Sequence, residues 1–125
     1  MTEAQSVPTT REAGEDHWQD AEELRWAVRA WAARINVQVN VVHLRAMRHK
    51  WASMSTRGRL TLDTSLLDLP KPLGEYVIVH ELVHLLAPNH GRVFKSFLDA
   101  YLPGWKERER LLQTQANNRL HTTMD

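Results

Sequence analysis

The sequence predicts an α+β domain: an N-terminal helix, a small antiparallel sheet of about three strands, a helix carrying an H-E-x-x-H motif, and C-terminal helices. Three observations lead there. Apolar residues recur at three- to four-residue steps near the N-terminus. They alternate with polar residues in the middle of the chain. Further on, they cover nearly every side of a segment set between prolines.

The first periodic segment runs from Glu15 to Asn36. Leu24, Val28, Trp31 and Ile35 form one stripe, and the acids of its first turns favour the positive end of a helix dipole. Residues 1–14 are polar and aperiodic, with Pro8 and Gly14, and read as a disordered tail. Residues 15–125 then read as a single domain, which a chain of 125 residues supports. Val37–Val41 alternates as a half-buried strand, after which the phase slips at Val41-Val42, so a bulge or a turn is expected there. A second strand is expected over Arg48–Met54. Ser55-Thr56-Arg57-Gly58 makes a turn, and Arg59–Asp63 returns as the third strand.

From Pro72 to Ala87 the pattern is helical and apolar all round, which places the helix in the interior, and Pro88 stops it. A further helix follows Gly91, with Val93, Phe94, Phe97, Leu98 and Tyr101 on its apolar face. Pro103-Gly104 breaks it. A last helix starts at Trp105, with Leu111, Leu112 and Leu120 as its apolar positions.

Composition narrows the chemistry. Apolar residues at 42% and charged residues at 25% are ordinary for a globular domain. There is no cysteine, which rules out disulfides and thiolate metal sites. Any metal would therefore be held by nitrogen and oxygen. Neither a secretion signal nor an apolar run long enough to span a membrane is present, so a cytoplasmic protein is expected. The net charge of +1 conceals an asymmetry. Residues 1–23 carry seven acids against Arg11, whereas Arg45, Arg48, Lys50, Arg57 and Arg59 lie in a stretch without an acid. That Arg45–Arg59 stretch would suit a nucleic acid or an acidic partner, but a solvated hairpin surface is the simpler reading.

Within the interior helix stand His80-Glu81-Leu82-Val83-His84. Residues four apart share a helix face, with β-carbons roughly 6 Å apart. Two imidazoles so placed can reach one Zn²⁺ at about 2.0–2.1 Å. Glu81, about 100° further round the helix, flanks such an ion and can take a proton from a metal-bound water. The motif alone is a hypothesis. Its setting strengthens it, since burying a polar group without a partner costs about 2–7 kcal/mol and three ionisable groups share one turn here. The competing account has two core histidines satisfied by backbone or by Glu75. A catalytic zinc takes a third protein ligand and keeps one position open. His90, just past the break at Pro88-Asn89, is the leading candidate, with Asp99 and Glu107 as rivals. His17, His43, His49 and His121 read as surface or structural residues. Tyr76, Tyr101 and His49 are the candidates for steadying an oxyanion, and none is singled out. Trp51 reads as a core tryptophan before a cleft residue.

These residues also carry a likeness. From about Arg48 to Leu112 the chain resembles the YgjP-like metallopeptidases, relatives of the SprT-like zinc peptidases. The matching pieces are Lys50-Trp51-Ala52-Ser53, Ser55–Leu62, Tyr76–His84, Pro88-Asn89-His90, Phe94, Tyr101–Pro103 and the Trp105–Leu112 segment. The resemblance implies a zincin-like α+β core, zinc held by His80, His84 and His90, Glu81 as catalytic acid-base, and a peptide or protein substrate. Two positions depart from it: Ala52 stands where the family commonly has glycine, and Asp63 where asparagine is frequent. Many relatives are also longer at the N-terminus, so an incomplete substrate cleft is expected, and a subunit of a larger assembly that completes the cleft is a third option. A zinc-stabilised module that binds protein or nucleic acid without turnover is the alternative, and Glu81 separates the two, because a purely structural site has no use for a carboxylate there.

Overall fold

The computed structural model describes residues 16–119; the expected tail at residues 1–14, and His121 and Leu120, lie outside the described residues. The elements run α1 (Ala21–Ile35), β1 (Val41–Arg45), β2 (Ala52–Met54), β3 (Arg59–Asp63), a short 3₁₀ turn (Thr64–Asp68), α2 (Lys71–Val83), α3 (Arg92–Tyr101) and α4 (Trp105–Arg119). The predicted α+β class and element order hold. No helix among the described residues is long and apolar enough to cross a membrane.

Helix α1 starts six residues later than its acidic lead-in predicts, because a cap fixes its first turn. Asp20 accepts from Glu23 N at 2.9 Å, and Glu23 Oε1 accepts from Gln19 N at 2.6 Å. The predicted stripe of Leu24, Val28, Trp31 and Ile35 is buried, joined by Ala27 and Ala32. Asn36 ends the helix in the left-handed region (φ 66°), and Val37 N bonds back to Ala32 O at 2.9 Å. Residues 37–40 are thereby spent turning from helix to sheet. The strand expected at Val37–Val41 is instead Val41–Arg45, in the second of the two registers, and no bulge is needed.

The sheet has the order β1-β3-β2. β2 is antiparallel to β3, with Ala52 opposite Leu62, but β1 lies parallel to it, with Val41 opposite Arg59. The sheet is therefore mixed where an antiparallel one was expected, and β3 is its centre. The reason is that residues 46–51 carry the chain from one flank of β3 to the other. The second strand is correspondingly shorter than Arg48–Met54, and His49 lies in the bend before it. The β2–β3 turn is as read: Gly58 takes φ 85°, and a Cβ there would stand 3.1 Å from Gln38 O.

Helix α2 is the buried centre of the molecule, in contact with α1, β2, α3 and α4. Glu75 on α2 gathers the surrounding helices. It accepts from Trp31 Nε1 of α1 at 3.2 Å and from Arg108 of α4 at 2.9 Å. Lys71 at its start pairs with Glu23 of α1 at 2.6 Å. On α3 only Phe94 and Leu98 are buried. Val93, placed on the apolar face by its spacing, is 61% exposed. On α4 the buried positions are Trp105, Leu112 and Ala116, whereas Leu111 faces solvent.

Candidate metal centre

Helix α2 ends at Val83, four residues before the expected Ala87. The backbone tightens into three-residue bonds there: His84 N to Glu81 O at 3.2 Å, Leu85 N to Leu82 O at 3.0 Å and Leu86 N to Val83 O at 2.8 Å. His84 still has helical angles (φ −59°, ψ −24°), so it stays one turn above His80 on the same face. The tightened turn and Pro88 then reverse the chain. His90 comes back in the bend before α3, instead of being carried about 9 Å further along a helix axis.

The result is a cluster. Each of His80, His84 and His90 offers one ring nitrogen, and all three nitrogens lie within 4.8 Å of one another. His84 Nε2 and His90 Nε2 are 3.0 Å apart. Two such nitrogens approach that closely only with a proton or a cation between them. A tetrahedral zinc with bonds of about 2.0–2.1 Å separates its ligand atoms by about 3.3 Å, so small ring adjustments would seat an ion here. Phe94 of α3 packs 4.9 Å, centroid to centroid, from each of the three imidazoles and forms an apolar wall. The cluster is graded in exposure, with His80 4% exposed, His84 half-buried and His90 open to solvent. One side of it is therefore accessible. Glu81 is fully buried.

The rival ligands are engaged elsewhere. Asp99 accepts from Trp105 Nε1 at 2.8 Å, and Glu107 pairs with Arg110 at the surface. Glu75 serves Trp31 and Arg108, so it is no partner for the histidines in the manner of the competing core reading. His43 accepts from Arg59 at 2.9 Å on the outer face of the sheet, away from the cluster. Of the oxyanion candidates, Tyr76 is buried and its hydroxyl donates to Glu109 Oε2 at 2.9 Å. Burial pushes its phenol well above the ordinary range, and the charges of Glu109 and Glu81 add to this, so the hydroxyl keeps its proton. Tyr101 stacks on Phe97. Glu109, 33 residues from Tyr76, was not singled out by the sequence. No local spacing joins it to the site.

A cleft of about 750 Å³ opens beside the cluster. Its lining includes His80, His90 and Phe94 as well as Trp105, Leu112 and Ala116. Trp51 is buried and also lines this cleft, so it fills both roles weighed for it. Of the two sequence departures, Ala52 is buried in β2. Asp63 is 3% exposed and accepts from Met47 N at 3.1 Å and from the Ser65 hydroxyl.

A small sheet beside a buried helix, with three imidazoles gathered at that helix's end, defines a metallopeptidase-type domain. The family profile described as YgjP-like, metallopeptidase domain, matches residues 8–115. The chain belongs to this family and is a metallopeptidase. Among solved structures it is similar to the crystal structure of the metallopeptidase zymogen of Pyrococcus abyssi abylysin. That similarity has 26% identity and a TM-score of 0.70, and covers 82% of this chain and 99% of that one. The metallopeptidase zymogen of Methanocaldococcus jannaschii jannalysin shares the fold at 24% identity and a TM-score of 0.67, over 74% of this chain and 95% of that one. No curated protein matches the chain.

Proposed function

We propose that the chain is a zinc-dependent peptidase of the H-E-x-x-H type, in which His80, His84 and His90 hold the ion and Glu81 is the general base. The observation that carries this reading is the approach of three imidazole nitrogens within 4.8 Å of one another at the end of a buried helix. The donor set fits zinc, since neutral imidazoles suit it and the chain has no thiolate to offer a softer site.

When bound, the ion supplies Lewis acidity, polarising a peptide carbonyl and acidifying water. The remaining work falls to the chain. A carboxylate oxygen of Glu81 takes the proton of the attacking water and returns it to the leaving amine nitrogen. Phe94 and the buried faces of α2 limit water around the imidazoles. An extended peptide pairs with a strand edge, as in strand addition generally. The central strand β3 cannot take that role, because both its sides are used. The edge beside the helix is β2, Ala52–Met54, which packs against α2.

The test is hydrolysis of an unfolded protein by the purified chain, with and without a chelator, alongside its metal content. The wild type is expected to carry one zinc and to cleave only when loaded. Glu81→Gln is expected to retain the zinc and lose cleavage by at least about 10²-fold. Undiminished cleavage by that variant would remove Glu81 from the role of base.

A further inference from the structure

We propose that Tyr76 and Glu109 are positioning residues for the metal centre, which together fix the ring of His80 in the tautomer and orientation that turn Nε2 toward an ion. This rests on the three-imidazole reading above and extends it to α4, a helix that contributes no member of the cluster.

Tyr76 Oη lies 3.2 Å from His80 Nδ1 and 2.9 Å from Glu109 Oε2. A phenol has a single proton, and a carboxylate only accepts. The phenol proton is therefore directed to Glu109, and Oη is left to accept. The bond with His80 then requires the imidazole proton on Nδ1, which places the lone pair of the ring on Nε2. The relay runs from His80 Nδ1–H to Tyr76 Oη–H to Glu109.

Metal-binding imidazoles commonly donate their second nitrogen to a carboxylate or carbonyl, which sets the tautomer and raises ligand basicity. Here a phenol is interposed between ring and carboxylate. Its placement is rigid. Tyr76 and His80 are four residues apart on one helix face, and Tyr76 is wholly buried. Its ring stacks on Trp105 at 6.4 Å with 5° between planes, and the indole of Trp105 is in turn held by Asp99. Arg108, next to Glu109, anchors the same turn of α4 to Glu75 and Pro72 O of α2.

The experiment uses the full chain as wild type, Tyr76→Phe, Glu109→Ala and, as a control for lost charge on the same helix, Glu107→Ala. The dissociation constant for Zn²⁺ is measured by chelator competition, and the His80 tautomer by ¹⁵N NMR on metal-free protein. Both relay variants are expected to bind zinc about 10–100-fold more weakly, with Glu107→Ala unchanged. The metal-free wild type is expected to carry the His80 proton on Nδ1, and Glu109→Ala to lose that single tautomer. Glu109 is exposed on α4, so its variant retains the fold even if Tyr76→Phe does not. An Nε2-protonated His80 in the wild type, or wild-type zinc affinity in Glu109→Ala, overturns the relay. A wild type that takes up no zinc instead removes the three-imidazole reading, and the NMR result still decides the relay.

Discussion

Asp63 joins three pieces of backbone that would otherwise part. Its carboxylate ends the central strand, takes the Met47 amide from the β1–β2 connection and takes the hydroxyl of Ser65 at the start of the 3₁₀ turn. An Asp63→Ala change would leave the partly buried Met47 N–H without its acceptor, at a cost of about 1–3 kcal/mol. Asp63→Asn keeps an acceptor oxygen and should cost less than about 1 kcal/mol. Urea midpoints of the two variants check this, and equal losses would mean that the carboxylate charge, not its geometry, matters. At this scale the sequence was most informative where chemistry is local. His80, Glu81 and His84 share one turn, so their neighbourhood was readable from spacing alone. His90 was readable because a proline break must turn the chain. Glu109 was not, because its partner lies 33 residues away and only the packing of α4 on α2 joins them.

Helix α2 shows how an element's surroundings are written into its sequence. Its apolar residues leave no polar face, and the structure duly wraps it on several sides. Gly74 marks the closest approach. A Cβ there would stand 2.6 Å from Trp18 Nε1, nearer than side chains come without displacement. Gly74→Ala should gain up to about 1 kcal/mol of helix propensity. Overpacking costs about 1–3 kcal/mol, so the net effect is expected to be destabilising, with Trp18 displaced. Thermal unfolding followed by tryptophan fluorescence measures both, and a stabilised variant with unchanged emission would show that Trp18 has room to spare. The strands were less legible than the helices. Alternation gave β3 its full extent, but two registers competed around Val41, and the cap at Asn36 decided between them by using residues 37–40 as a link. Pairing partners carry no signature in a single strand of five residues, so the parallel placement of β1 and the central position of β3 could not be read in advance.

Across the whole molecule, the helices and sheet converge on one site. The helices α1, α2 and α4 meet at Glu75, the break after α2 returns His90, and α3 supplies Phe94 as the wall of the cluster. The fold class and element order followed from periodicity and proline placement, because those are consequences of burying one core in a chain of this length. Every part of the proposed chemistry requires three imidazoles sharing one ion. Zinc stoichiometry, determined by elemental analysis after dialysis against a weak chelator, tests that claim most directly in wild type, His90→Ala and His43→Ala. One zinc per chain is expected in wild type and in His43→Ala, with most of it lost in His90→Ala; equal retention by both variants, or a metal-free wild type, would rule the shared ion out.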